Sequence, residues 1–229
     1  MKNLPDDVGR LSTSHLSNAK DALAPICEIT EQCLQMLVSV ARQVHTPPES
    51  FLHHLFSLIG TLDQAGMATT ARFPFLLVDF GFRDLAWWRS ITPAHRRAGK
   101  DLSWLVPFPR AAAMKLARAT LTLAWHTVRT DTEATLVLLG ISPPVAEHIA
   151  SLRLQDIDRI AERHYRRLRP RWEDRPAVWR QLLACSRETD VNAAHEFVLH
   201  ALQLTAAGSL PVTSSQRARK TAPSTSLRP

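Results

Sequence analysis

The chain has 229 residues, 45% of them hydrophobic, with a formal net charge of +7 and an isoelectric point of about 10.0. This is enough apolar material for one large or two small domains with a real core, and the positive balance favours an acidic partner such as nucleic acid. No apolar run approaches the roughly 18 residues of a membrane span, and MKNLPDDVGRLSTSH has no apolar signal-peptide core, so a soluble, cytoplasmic protein is expected.

Residues 1–14 read as a polar lead-in. From 16 to 44, Ile26, Ile29, Cys33, Leu34, Leu37 and Val40 give one apolar face to a helix that Pro25 either starts or kinks. Pro47-Pro48 ends it. A second helix, 49–64, is apolar on more than one side through Phe51, Leu55, Phe56, Ile59 and Leu62, which calls for burial against neighbours or another subunit. His53-His54 has no carboxylate or cysteine at helical spacing and suggests packing or surface groups, not metal ligands.

The least regular part is 66–100. Phe73 to Val78 could form a short strand with no obvious partner, or a helix could run from Phe80 or Arg83 through Ile91. Trp87-Trp88 beside Arg83, Arg89, Arg96 and Arg97 admits base stacking, against the plainer reading that paired tryptophans fill a core or subunit contact. AHRRAGKD is a solvated basic connection, and the two prolines of 104–109 form a joint near residue 105. Next comes the cleanest helix, 110–129, with Met114, Ala117, Leu121, Ala124, Trp125 and Val128 at the helical period. It is the candidate for a homodimer contact. Thr130-Asp131 caps the helix that follows.

Gly140 can take the left-handed backbone that ends a helix, Ser142 can cap the next with its hydroxyl, and Pro143 suits a first helical position. Val145, Ala146, Ile149 and Leu152 make one stripe; Leu154, Ile157, Ile160 and Ala161 make a second, with Asp156 and Asp158 in its first turn. Two short helices joined by about three or four residues have the spacing of a helix-turn-helix, a corner that many bundles contain without touching DNA. Beyond them, helices are expected at 176–185 and 191–207, and the polar, basic 208–229 should be a disordered tail.

In order and spacing, the run from about 115 to 204 resembles FlhD, the helical subunit of the flagellar master transcription activator, whose relatives include regulators carried by conjugative elements. Four parts carry the resemblance: ARATLTLAWHTVR, a short helix ending in LLGI, the pair SPPVAEHIASL and LQDIDRIAERH, and the tail WRQLLACSRETDVNAAHEFVLHALQL. It implies an all-α protein that dimerises through its long helices and acts on promoter DNA with an FlhC-like, zinc-binding partner. Flagellar members carry a cysteine after the second helix that can bridge the dimer. This chain has Leu168 near there and its nearest cysteine is Cys185, which puts a covalent dimer in doubt.

The expected fold is therefore an all-α helical bundle containing a helix-turn-helix-like pair. It would comprise an N-terminal helical extension (1–104), an FlhD-like helical domain (105–207) and the tail. From 151 to 180 there are nine arginines against five acids, and Pro170 prevents one continuous helix. The candidate DNA contacts are Arg153, Gln155, Arg159, Arg163, Arg166, Arg167, Arg169 and Arg171, whose guanidinium forks suit phosphate oxygens. Two observations oppose this. Glu162, Glu173 and Asp174 could neutralise some of these arginines, and Asp156, Asp158 and Glu162 nearly balance the bases of the second helix.

No catalytic motif is present, only seven glycines occur, and the three cysteines, Cys27, Cys33 and Cys185, fit no zinc spacing. No enzyme, cofactor or metal is expected. The leading function is a DNA-binding transcriptional activator or co-activator working with an FlhC-like partner. The alternative is a helical adaptor that grips another protein through the extension.

Overall fold

In the computed structural model of the chain, the described residues are 7–43, 56–91, 108–187 and 191–207, with side chains described at 23–43, 56–91, 108–187 and 192–205. The first helix, α1 (Asp7–Gln43), begins well inside the expected lead-in and runs through Pro25. Ile26, Ile29, Thr30, Cys33, Leu34, Leu37 and Val40 make its buried stripe. Residues 56–59 are also helical and end at a turn on Gly60, earlier than the expected stop at 64; the expected start at 49 lies outside the described residues. Asp63 then caps α2 (Gln64–Ala71) by accepting the Gly66 amide at 2.7 Å. Helix α1 packs against α2 and against α4 (Arg110–Thr130).

From Phe73 to Val78 the chain is almost wholly buried yet mostly irregular. Its backbone groups are satisfied by distant ones: the Leu76 amide donates to Leu138 O at 3.2 Å, and the Arg171 amide donates to Leu77 O at 2.8 Å. A two-residue strand, β1 (Val78–Asp79), pairs antiparallel with β2 (Arg169–Pro170), Val78 opposite Pro170 and Asp79 opposite Arg169. After a turn at Gly81 (φ 72°), Asp84 caps α3 (Leu85–Ser90), accepting the Trp87 amide at 3.0 Å. The indole N–H of fully buried Trp88 donates to Gly81 O at 2.9 Å.

The remaining elements follow in order: α5 (Thr132–Leu138), α6 (Pro143–Ser151), α7 (Leu154–His164), a 3₁₀ turn (Tyr165–Arg167), β2, α8 (Pro176–Cys185) and α9 (Val191–Ala207). Prolines at the first turns of α6 and α8 and the Asp131 cap on α5, which accepts the Ala134 amide at 2.9 Å, place these starts where the sequence predicts. One hydrophobic cluster runs from α1 through Phe75, Phe80, Phe82 and Trp88 to α4, α6, α8 and α9. Phe75 meets Trp172 and Phe197 edge to face, at centroid separations of 5.5 and 6.1 Å. The fold is all-α, with the short β1–β2 ladder tying residues 73–91 onto the C-terminal helices. Among the described residues, no helix is long and apolar enough to cross a membrane.

Candidate nucleic-acid interface

The pair α6–α7 is held by α4. Both helices lean on it, while direct backbone contact between the two is sparse, so the pair is splayed across α4 and not closed on itself. Only Leu152 and Arg153, both extended, separate the helices, a shorter join than the spacing suggests. The end of α6 leaves carbonyls without helical partners. Residues of α4 supply donors: Trp125 Nε1 to Leu152 O at 2.8 Å, and Arg129 Nη2 to Ala150 O at 2.8 Å and Leu152 O at 3.3 Å. Arg129 also stacks over the Trp125 ring, 4.2 Å from its centroid.

Helix α7 buries Ile157, Ile160 and Ala161. At its start the Arg153 amide donates to Asp156 Oδ2 at 3.1 Å, and this carboxylate sits where the helix dipole favours it. The other two acids are bound by one guanidinium of α4: Arg118 Nε meets Asp158 at 2.9 Å and Arg118 Nη2 meets Glu162 at 3.0 Å. Part of the negative charge that weighed against this helix is thus paired with α4. Asp158 and Glu162, both about half-exposed, are engaged by α4, whereas Gln155, Arg159 and Arg163 are exposed at four-residue steps and Arg166 follows on the 3₁₀ turn. Arg159 keeps a long 3.8 Å contact with Asp156. Arg153 is exposed at the mouth of the helix, and Arg166 flanks Tyr165 together with Arg110, at 5.8 and 5.9 Å from the ring centroid.

The remaining three candidate contacts turn inward. Arg167 pairs with Asp84 and lies 4.3 Å over the Trp87 ring. Arg169 reaches Asp79 at 2.8 Å and Glu173 at 3.5 Å. Arg171 is 7% exposed and donates to Leu139 O. Of the acids the sequence offered as neighbours, only Glu173 takes one of these three, because the ladder brings Asp79 to Arg169 and α3 brings Asp84 to Arg167. Gly140 (φ 65°) makes room for Arg171: a Cβ there would lie 2.8 Å from Nη1. Ser142 stands at the start of α6, but its hydroxyl donates to Phe82 O at 3.3 Å instead of capping the helix.

Two expected partner surfaces are largely occupied. Ala117, Leu121, Ala124 and Val128 of α4, proposed for a homodimer, are buried within the protomer. Trp88 is sealed and Trp87 is half-buried, so packing accounts for the tryptophan pair. The basic stretch after Pro93, His53-His54 and the tail lie outside the described residues. Cys33 and Cys185 are buried, and burial pushes the Cys33 thiol up to about 12.

The class defined by this architecture is an all-α protein with a two-helix corner mounted on a long helix. Residues 114–207 match the family model described as Flagellar transcriptional activator (FlhD), so the stretch from α4 to α9 is FlhD-like and its likeness is to a transcriptional activator. The match covers about two fifths of the chain and leaves out α1, α2 and the segment around β1 and α3. No curated protein and no solved structure matches the chain.

Proposed function

We propose that the protein is a DNA-binding subunit of a transcription activator, presenting α7 to a groove and acting beside an FlhC-like partner. The observation that carries the reading is the exposed row Gln155, Arg159, Arg163 and Arg166 along α7 and the turn after it, beside which the half-exposed Asp158 and Glu162 are paired with Arg118 of α4. Arginine forks spaced along a helix suit successive phosphates, and Gln155 near the helix start suits a base edge. Arg153 and Arg110 extend the row at either end, while Arg167, Arg169 and Arg171 hold the fold. A homodimer through α4 would have to use half-buried edge positions such as Ala119 and Leu123, since its apolar face is filled within the protomer.

The test is a promoter-fragment titration at several salt concentrations with the partner present. Replacing Arg159, Arg163 and Arg166 with alanine should weaken binding and flatten the log–log salt slope by about three, roughly 0.9 per lost phosphate contact. An unchanged slope removes the DNA role from this face.

A further inference from the structure

A cavity of about 570 Å³ opens where the β1 segment, β2 and α9 meet, a volume within the ordinary range for small-molecule sites. Arg171 forms its wall. This guanidinium is buried, its Nη1 atom has no hydrogen-bond partner, and among the described residues no carboxylate makes an ion pair with it. The carboxylate that offsets its charge, Asp79, is already committed to Arg169 at 2.8 Å. Buried charges in proteins are normally paired, because desolvation is otherwise uncompensated, and burial here lowers the Arg171 pKa to about 10. Three more guanidiniums line the same space: Arg169, committed to Asp79 and Glu173; Arg83, which donates to Thr205 O at 2.5 Å; and Arg175, whose ion pair among the described residues is a 4.0 Å contact with exposed Asp174. Glu173 lines the same space; burial raises its carboxyl, while Arg169 at 3.5 Å acts in the other direction.

We propose that this cavity binds a phosphate-bearing small molecule, with Arg83 and Arg175 meeting its oxygens and Arg171 supplying positive charge from behind. The half-buried Trp172 and Leu204 offer apolar contact to the rest of such a ligand. The site lies apart from the α7 row and does not depend on the DNA reading. Geometry links it to the fold: the Gly140 backbone that admits Arg171 also leads directly into α6.

Thermal unfolding of the full-length protein should be followed in inorganic phosphate and pyrophosphate, against sodium chloride at matched ionic strength. A saturable rise in Tm on the order of 5 °C at about a hundred times Kd is expected with the phosphates and not with chloride. The double variant R83Q/R175Q should lose the rise, and the single variant R175Q, altered at an exposed position, should raise the apparent Kd at least tenfold. The double variant R159A/R163A should keep the full response. An equal response to chloride, no response in the native protein, or a response kept by R175Q and R83Q/R175Q overturns the proposal. Loss of the response in R159A/R163A would also overturn it, by moving the anion to α7.

Discussion

Gly140 and Asp79 bear disproportionate structural weight among the residues around β2. At φ 65°, Gly140 sits where an added Cβ would press on Arg171 Nη1 and Thr205 Cγ2, each at 2.8 Å. Gly140→Ala should therefore destabilise the fold by about 2 kcal/mol or more, combining left-handed backbone strain with overpacking, as read by urea unfolding. For Asp79, burial alone would raise the carboxyl, but Arg169, Arg171 and the Phe82 amide outweigh it and hold the pKa below the usual value. A lowered folded-state pKa gives stability that is complete above the unfolded value of about 4 and is lost as pH falls through the folded one. Asp79→Asn should cost roughly 1–2 kcal/mol at pH 7, by breaking a half-buried pair, and less at pH 3. Equal losses at both pH values would contradict the assignment. Glu173 acts in the opposite sense: burial raises it, so its contribution is fullest below about pH 4 and declines as pH rises through the folded value.

At the scale of elements, local chemistry was readable and long-range pairing was not. Pro143 and Pro176 at first helical turns, Asp131 as a cap and Gly140 as a stop are decisions made within a few residues, and the helices begin and end accordingly. Periodicity likewise found the cores of α1 and α4. The strand β1 could not be identified in this way, since two residues carry no period and their partner lies some ninety positions downstream. The same distance hid the fates of Arg167 and Arg169. Their main partners, Asp84 and Asp79, precede them by 83 and 90 residues, so a count of charges along the chain read these arginines as available. Arg118 was missed for the opposite reason. Nothing in ARATLTLAW marks one arginine as the clamp for two acids more than a helix away, and only the packing of α4 on α7 reveals it.

For the molecule as a whole, residues 73–91 are built into the same core as the FlhD-like stretch. Phe75, Phe80, Phe82 and Trp88 are fully buried, and backbone groups of Leu77 and Phe82 accept hydrogen bonds from Arg171 and Ser142. Deleting residues 1–100 should therefore leave a fragment with helical circular dichroism but a broad, weakly cooperative melt and a tendency to associate, because large apolar surfaces and several polar groups lose their partners. A monodisperse fragment with a sharp transition would show instead that 108–207 closes its own core.

The grip of α4 on the corner has a further consequence. Trp125 and Arg129 take hold of carbonyl oxygens, which every amino acid carries, so the side chains displayed near the end of α6 are not what the grip recognises. Among the described residues Arg118 pairs with Asp158 and Glu162, on the flank of α7 turned toward α4. Positions 155, 159, 163 and 166 are thus free to diversify while their mounting stays constant, an arrangement that lets one scaffold acquire new target preferences without rebuilding its interior.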